Sequence, residues 1–279
     1  MDKNHTTVDI LICTLNERIK DAASVMIEER ENIRYIVSMQ YTDTKYLKDI
    51  PDILKTRKDV SLYTLEGRGL SRNRNYALSK SDADICIITD DDVRYKPSYI
   101  DTILQIYAST PHTDIALFQV ISSEGIFHKK YPKERMSYAE AERHDYYPTS
   151  MEITFRRKKI QETGIRFNEH YGLGADYLIS GEESVFLKDA EDARLTVEYF
   201  PYIIAETPLN TTGEHFLTDI RVQRSKGATF CYCYGMAKAT YLCLKESAFY
   251  LLHKGVNPLP LMKNMVDGII YCKKFIWKK

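Results

Sequence analysis

The sequence predicts an α/β fold with a mostly parallel central sheet flanked by helices and a helical extension at the carboxyl end. Short apolar, β-branched runs alternate with helix-compatible segments along the first half of the chain, which is the pattern of parallel sheets. A chain of 279 residues with 44% hydrophobic composition can also bury a large core.

The predicted elements follow one another in a regular order. Strands are expected at residues 8–13, 33–37, 60–65, 85–89, 115–121, 151–155 and 199–206. Helices are expected at about 17–32, at 97–108, from about 184 and within 226–244, and the charged segment 129–143 is interpreted as an exposed loop and helix.

The strand predicted at 85–89 is followed at once by Asp90, Asp91 and Asp92. Ligands of open α/β sheets bind beyond the carboxyl ends of strands, and adjacent carboxylates keep their charge best beside a cation. Asp90 and Asp92 are the pair expected to converge, and such oxygen ligands suit Mg²⁺ or Mn²⁺. The alternative is an acidic turn, since Asp is frequent where strands end.

A glycine-containing loop at 67–69 leads into a predicted helix, and a helix start after such a loop favours an anion. Arg68, Arg72 and Arg74 lie in this segment, shortly before the acidic strand end. Basic and acidic groups together could clamp a diphosphate from both directions. The alternative is a solvated basic helix face.

A second acidic pair, Glu182 and Glu183, follows Gly181 at a predicted helix start. The positive end of the helix dipole stabilises acids there, which is a sufficient structural explanation. The functional alternative is a general base that takes a proton from an attacking hydroxyl.

Composition limits the classes of partner and compartment. The 39 basic and 39 acidic residues cancel, which argues against a general nucleic-acid binder. The six Cys lack paired zinc-type spacing and no secretory leader is evident, so a reducing cytoplasm is expected. No apolar run is long enough to cross a bilayer, although surface attachment remains open.

Five short motifs occur in order: VDILICTLNE at 8–17, GLSRNRNYA at 69–77, ITDDD at 88–92, FNEHYGLG at 167–174 and GEE at 181–183. Together they resemble the family 2 glycosyltransferases, which have a GT-A fold, over roughly residues 8–190. The resemblance implies inverting transfer from a nucleotide-diphosphate sugar, with Mn²⁺ or Mg²⁺ as cofactor.

The resemblance also implies roles for particular residues. Asp90, Asp91 and Asp92 stand at the family's Asp-x-Asp motif, with Asp90 and Asp92 at the metal and Asp90 and Asp91 at the donor. Glu183, with Glu182 beside it, stands at the position of the catalytic base. The remaining expected donor contacts are Thr14, Asn16, Glu17, Gln40, Arg68, Arg72 and Asn73.

The chain departs from the family pattern in three places. Where a carboxylate usually reads the nucleobase, it offers Gln40 or a displaced Asp43. Glu replaces the usual Asp at 183, which lengthens the base by one methylene. In the family, a His near the carboxyl end of the catalytic domain often contacts the metal or diphosphate, and none of Glu206, His215, Arg221 and Arg224 is a decisive match for it. Residues 209–224 are expected to form a loop over the donor.

The implied organisation is a GT-A catalytic domain over 1–245, with a nucleotide-sugar-binding half at 1–118, an acceptor-binding half at 119–245 and a helical extension at 246–279. The expected reaction transfers a hexose-type sugar to a glycan or lipid-linked glycan acceptor in surface polysaccharide synthesis. Two alternatives are a noncatalytic nucleotide-sugar-binding protein and a metal-dependent phosphate hydrolase. The hydrolase would leave Arg72, Asn73 and the GEE motif unexplained.

The carboxyl-terminal stretch 259–279 mixes apolar residues with five lysines. It is interpreted either as a basic amphipathic helix on the inner face of the cytoplasmic membrane or as a terminal helix packed on the catalytic domain.

Overall fold

The computed structural model describes residues 6–127, 129–208 and 212–277. The strands in those ranges are β1 (Val8–Leu15), β2 (Ile33–Tyr41), β3 (Val60–Glu66), β4 (Ile85–Asp90), β5 (Ile115–Ile121), β6 (Met136–Ser137), β7 (Ile153–Arg156) and β8 (Val197–Glu206). They form one sheet in the order β3-β2-β1-β4-β7-β5-β8-β6. Neighbours are parallel except where β7 lies between β4 and β5 and where β6 pairs with β8. The predicted α/β class is confirmed.

The described helices are α1 (Ile53–Thr56), α2 (Leu70–Ser79), α3 (Pro97–Ser109), α4 (Tyr138–Arg143), α5 (Arg157–Thr163), α6 (Glu182–Asp192), α7 (Ile220–Tyr234), α8 (Met236–Lys254) and α9 (Pro258–Tyr271). None of them is both long and apolar enough to span a bilayer. Short 3-10 turns occupy Asn16–Lys20, Ala22–Val25, Thr44–Asp49, Ser150–Glu152 and Thr212–Leu217, and a π turn covers Cys272–Ile276.

Two expectations about local structure need correction, and one helix was missed. Instead of a helix at about 17–32, the chain forms 3-10 turns at Asn16–Lys20 and Ala22–Val25 and no helix from 26 to 32, because Ile19, Ala22 and Val25 are buried at a spacing of three, which matches the 3-10 period. The segment 129–143 is not simply exposed, since Tyr138 and the Lys129 side chain are buried. The helix α5 had no counterpart in the sequence prediction.

The expected loop at 209–224 is wrong in its second half. Residues 209–211 lie outside the described residues, and α7 already begins at Ile220. The side chain of Asp219 accepts a hydrogen bond from the amide of Arg221, so it caps α7 at its first turn.

Contacts divide the chain into two compact units. The first holds the whole sheet and comprises the described residues up to Arg68, then Arg72–Arg166, then the segment from Asp189 to the end of β8. The second comprises Gly69–Ser71, Phe167–Lys188 and the described residues from 212 onward. The units interleave in sequence, so the functional boundaries at 118 and 245 stay predictions.

The first unit has a core between the sheet and the helices that cover it. Apolar residues of the parallel strands, among them Ile10, Val37 and Ile87, are fully buried and pack in one cluster with Ile100 and Ile103 of α3. Burial on both faces explains why these strands are almost continuously apolar in sequence.

The second unit is built on a close helix crossing. An added Cβ at Gly227 in α7 would lie 1.9 Å from the Met265 carbonyl oxygen, and one at Gly268 in α9 would lie 1.9 Å from the Arg224 carbonyl oxygen. The two backbones therefore touch, and only glycine fits at either position.

The carboxyl-terminal stretch from residue 259 packs one of its faces against the rest of the second unit. Leu261, Met265, Ile269 and Ile276 are buried in the second unit, as the packing interpretation predicted, and Cys231 and Cys243 are buried beside them. Ile270 and Phe275 are exposed, so membrane contact by this stretch stays a prediction.

Candidate active site

The first group of predicted site residues lies at one edge of the sheet. β2, β1 and β4 are adjacent and parallel, and their register pairs Leu15 with Gln40 and Cys13 with Asp90. Parallel strands end at the same edge, which brings Thr14, Gln40 and Asp90 together there. This is the edge at which open α/β sheets bind ligands.

Arg18 organises the acidic cluster. Its Nε lies 2.9 Å from Oδ1 and 3.1 Å from Oδ2 of Asp91, and its Nη2 also contacts Asp91 Oδ1. The same Nη2 lies 3.1 Å from Asp92 Oδ2. One guanidinium therefore bridges two of the three carboxylates, a geometry that suits the planar fork of arginine.

A second guanidinium holds the third carboxylate. Arg74 in α2 is buried, and its Nη2 lies 3.3 Å from Asp90 Oδ1. The hydroxyl of Ser150 lies 3.4 Å from the other oxygen, Oδ2. Contacts to both of its oxygens thus hold the Asp90 carboxylate in place.

Burial separates the three carboxylates. The Asp91 side chain is 2% exposed, whereas those of Asp90 and Asp92 are 29% and 41% exposed. Burial raises the pKa of Asp91 above its usual value, and the hydrogen bonds from Arg18 partly oppose that rise. Asp91 therefore has a structural place in the cluster, and Asp90 and Asp92 face the solvent.

The cluster suits a divalent ion shared with a ligand. Among the described residues, no group of three or more His, Cys, Asp and Glu side chains could hold a metal by itself. Mg²⁺ is commonly bound by one or two carboxylates together with substrate phosphates. Asp90 and Asp92, as partly exposed oxygen donors, fit that arrangement, and Mn²⁺ accepts the same ligands.

Two predicted donor contacts are occupied in bracing the strand ends. The Asn73 amide donates to the carbonyl oxygens of Thr14 at 3.2 Å and Ser38 at 3.0 Å, so both of its hydrogens are used. Asn16 has a positive φ of 55°, and its Oδ1 accepts from the Thr42 amide at 2.9 Å. These side chains fix the shape of the edge.

Gln40 differs from these bracing residues. It is 2% exposed, and its Nε2 has no hydrogen-bond partner among the residues that the structure describes. A buried amide without a partner costs free energy, so such a group at a ligand-binding edge is a candidate ligand contact. Asp43, the alternative considered for the same role, caps the next 3-10 turn by accepting from Lys45 at 2.8 Å.

The basic loop presents two exposed arginines, Arg68 and Arg72. Arg72 Nη1 donates a hydrogen bond to the Glu66 carbonyl oxygen at 3.1 Å. The same nitrogen would lie 2.7 Å from a Cβ added at Gly67, so a side chain there would clash with Arg72. Gly67 has a φ of 107°, so the loop needs glycine for both reasons. Glu17 is exposed on the first loop.

The second unit contains the acidic pair of the GEE motif at the start of α6. Glu182 is buried beside Gly172. A Cβ added at Gly172, whose φ is 101°, would lie 3.3 Å from Cδ of Glu182. Glu183 is half-buried. Gly181 is required as well, because a Cβ there would lie 2.2 Å from Thr229 Oγ1. The geometry makes Glu182 the packed member and Glu183 the more accessible one.

The four candidates for a further metal or diphosphate contact, Glu206, His215, Arg221 and Arg224, have different surroundings. Glu206 accepts from Tyr99 Oη at 2.9 Å and pairs with Lys96, which lowers its pKa. Arg221 pairs with Asp219 at 2.7 Å in the second unit. Arg224 lies over the Tyr177 ring at 4.6 Å. His215 lies in the 3-10 turn before α7.

The family assignment follows from a match to a family model. The model described as "Glycosyl transferase family 2" matches residues 9–171, which is more than half of the chain. The chain belongs to glycosyl transferase family 2. No curated protein matches its sequence.

Solved structures show that this family 2 glycosyltransferase has a GT-A fold. S. aureus TarS residues 1–349 in complex with UDP-GlcNAc is 15% identical, with a TM-score of 0.61, covering 96% of this chain and 81% of that one. The mannosyltransferase PcManGT from Pyrobaculum calidifontis in complex with GDP-Man and Mn²⁺ is 14% identical, with a TM-score of 0.57, covering 99% and 90%. The chain covers only 44% of a longer S. aureus TarS structure, with 14% identity and a TM-score of 0.56.

Sequence reasoning missed Arg18. It lies two residues beyond Asn16 in the first loop of the family 2 motif. Its position after β1 could have indicated this role. β1 and β4 are neighbouring strands in a sheet of this class, so a basic residue after β1 lies close to the acidic residues after β4. Arg74 was predicted to be either a diphosphate contact or part of a solvated helix face, but its guanidinium is buried and pairs with Asp90.

Proposed function

We propose that this family 2 glycosyltransferase moves a hexose-type sugar from a nucleotide-diphosphate sugar to a hydroxyl of a glycan or lipid-linked glycan, with inversion at the anomeric carbon. The observation that carries the proposal is the edge of β2, β1 and β4. There Asp90 ends β4 and Asp92 follows it, both partly exposed, and the amide nitrogen of Gln40, without a partner among the described residues, lies near the end of β2.

The donor is assigned to this edge by chemistry. Gln40 Nε2 is a hydrogen-bond donor that would pair with a carbonyl oxygen of the nucleobase. Arg68 and Arg72 are exposed guanidinium groups able to pair with the diphosphate. Thr14 at the end of β1, Asn16 and Glu17 in the turn after it and Asn73 in α2 would line the place of the nucleoside. The donor complexes of TarS and PcManGT support a nucleotide sugar as the ligand class.

Asp90 and Asp92 would hold Mn²⁺ or Mg²⁺ together with the diphosphate, and Arg18 and Arg74 would keep these carboxylates in place. When bound, the ion supplies positive charge against the negative charge that grows on the leaving diphosphate. The Mn²⁺ in the PcManGT structure supports this assignment.

Glu183 is the proposed catalytic base, and Glu182 the residue that packs beside it. The Glu183 carboxylate takes the proton of the acceptor hydroxyl, whose oxygen forms a bond to the anomeric carbon from the side opposite the diphosphate. The bond from that carbon to the diphosphate oxygen breaks, and its electron pair leaves with the nucleoside diphosphate. One displacement of this kind inverts the configuration.

We place the reaction in the cytoplasm, at the inner face of the cytoplasmic membrane, with surface polysaccharide synthesis as the process. All six cysteines are free thiols, which is in keeping with a reducing compartment. Residues 1–118 would then serve the donor and 119–245 the acceptor, with 246–279 as a helical extension.

The test is product analysis with the purified chain. UDP-sugars and GDP-sugars are incubated with a panel of glycan and lipid-linked glycan acceptors and Mn²⁺ or Mg²⁺. Mass spectrometry should detect an acceptor that gains one sugar residue, and NMR should show the inverted anomeric configuration. Hydrolysis of the donor to a nucleoside monophosphate and a sugar phosphate, without transfer, would indicate a phosphate hydrolase. Donor binding without any product would indicate a binding protein.

A further inference from the structure

The second unit exposes an apolar surface that holds none of the individual residues assigned above to the donor, the metal or catalysis. It consists of Tyr241, Leu244, Leu251 and Leu252 of α8 together with Leu259 of α9, and we call it the α8 face. Leu252 is 78% and Leu259 75% exposed, and Tyr241 is 64% exposed. Single exposed leucines are ordinary, but a contiguous set on one helix side marks an interaction surface.

The sequence spacing places these side chains on one side of α8. Tyr241, Leu244, the exposed Ala248 and Leu251 follow one another at intervals of three and four residues, which is the period of a helix face. Leu252 lies four residues after Ala248 and belongs to the same side. The opposite side, with Ala239, Cys243 and Ser247, is buried against the rest of the second unit. The α8 face therefore points away from the core that α8 helps to form.

The α8 face is held rigidly. Gly255 has a φ of 63°, its amide donates to the Leu251 carbonyl at 3.1 Å, and the Val256 amide donates to the Tyr250 carbonyl at 3.3 Å. Asn257 then caps α9 by accepting from the Leu259 amide at 3.1 Å. The turn between the helices is thus fixed by hydrogen bonds, and the exposed leucines are presented by an ordered backbone.

Four exposed lysines lie three or four residues from members of the α8 face. Lys238, Lys245, Lys254 and Lys263 are exposed beside it. The only carboxylate of α8, Glu246, pairs with Lys226. The sequence has no Asp or Glu from residue 247 to residue 266.

We propose that the α8 face binds the surface of an anionic lipid bilayer, with the leucines in the interface and the lysines at the headgroups. A second copy of the chain is disfavoured as the occupant, because pairing of identical faces would bring these lysines together. The proposal does not depend on the sugar transfer, since its readout is vesicle binding.

The test is co-sedimentation of the full chain with vesicles of phosphatidylcholine alone or mixed with phosphatidylglycerol. Each lysine at an anionic surface should strengthen binding about fivefold. Wild-type protein should therefore sediment with the mixed vesicles, more weakly at high salt, and at least about tenfold less with neutral vesicles. Replacing Leu252→Glu and Leu259→Glu together should weaken binding by about tenfold or more.

The matched control is Ile53→Glu with Ile126→Glu. These isoleucines of the first unit are 49% and 52% exposed, and the pair of changes adds the same charge. The control should bind as wild type does. Circular dichroism checks folding, and if the double leucine variant unfolds, Leu252→Ser alone takes its place.

Three outcomes would overturn the proposal. Wild-type protein could fail to bind the mixed vesicles, the leucine variant could bind as well as its control, or neutral vesicles could bind equally well. A dimer in light scattering that the leucine changes dissociate would also overturn it, since the α8 face would then join two copies.

Discussion

Arg18 binds both carboxylate oxygens of the buried Asp91 through its Nε, at 2.9 and 3.1 Å, and reaches Asp92 with Nη2. The first loop and the end of β4 are thereby tied together by one side chain. Asp92 is held in place while its carboxylate stays 41% exposed. The cluster that we assign to the metal and diphosphate is therefore preorganised by a residue of the chain itself.

Removing Arg18 should destabilise the protein in a pH-dependent way. Burial already raises the pKa of Asp91 above its ordinary value of 3.8, so its ionisation costs folding free energy that grows as the pH rises past that ordinary value and is complete above the folded pKa. Arg18→Ala should raise that pKa further. We expect a loss of about 1–3 kcal/mol near neutral pH that shrinks to nearly zero below the ordinary pKa, where Asp91 is protonated in both states.

Urea unfolding with chelator present measures this loss at each pH. Arg30→Ala is the control, because Arg30 pairs with Asp101, whose side chain is 59% exposed. A loss of stability in Arg18→Ala that did not change with pH would show that Asp91 is not the affected group.

Replacing Gln40 should weaken nucleotide binding without unfolding the sheet. Gln40→Leu keeps the volume and removes the unpartnered amide, so the free energy of unfolding should stay the same or rise. Affinity for the preferred nucleotide should fall by roughly 2- to 15-fold, the value of one hydrogen bond. Calorimetric titration measures it.

Gln119 provides the opposite control for that experiment. It is buried in β5, and its Nε2 donates to Tyr199 Oη at 2.6 Å. Gln119→Leu should lower stability and leave nucleotide affinity intact. Equal nucleotide affinity in wild type and Gln40→Leu would remove Gln40 from the donor site.

The buried pair of Lys129 and Glu152 should matter for folding alone. Glu152 is fully buried, lies 2.9 Å from Lys129 Nζ and accepts hydrogen bonds from Tyr131 and Tyr146. Lys129→Leu leaves that carboxylate without its cation and should cost about 3–5 kcal/mol in urea unfolding. Lys158→Leu, which removes an exposed pair with Glu162, should cost less than about 0.5 kcal/mol.

Adding Glu152→Gln to Lys129→Leu should recover part of the lost stability, because the buried charge is then gone. A double variant less stable than Lys129→Leu would mean that the hydrogen bonds of Glu152, and not its charge, dominate.

Replacing Glu183 tests the proposed base. Glu183→Gln keeps the shape but cannot accept the proton, so kcat should fall by roughly 10²- to 10⁴-fold while donor affinity is retained. Glu191→Gln on the same helix is the control and should keep wild-type turnover. Near-normal turnover of Glu183→Gln would direct the same test to Glu182 and then to Asp176.

The apolar runs in the sequence were enough to predict the parallel strands, because those strands are buried on both faces and carry little else. The family resemblance placed Asp90, Gln40 and Thr14 at one donor site, and the order of β2, β1 and β4, which the sequence did not predict, puts them at one edge. Only the family resemblance ranked Glu183 before Glu182, because the packing of Glu182 against Gly172 depends on residues that are not neighbours in sequence.

Other features depend on tertiary contacts that local sequence does not carry. Residues 17–32 contain enough helix formers to suggest a helix, but burial of Ile19, Ala22 and Val25 favours 3-10 turns. The hydrogen bonds of Asn73 to Thr14 and Ser38 could not be predicted, because they depend on how β1 and β2 are aligned. The buried Lys129 was hidden in a segment whose overall charge predicts exposure.

The most direct test of the central claim is calorimetric titration of UDP, GDP and their sugars into the protein with Mn²⁺. We predict that at least one of them binds, and that chelator or Asp92→Asn weakens the binding by about tenfold or more while the melting temperature stays near that of wild type. Unchanged affinity in both cases would contradict the metal site at Asp90 and Asp92, and failure of every nucleotide to bind would contradict the donor site itself.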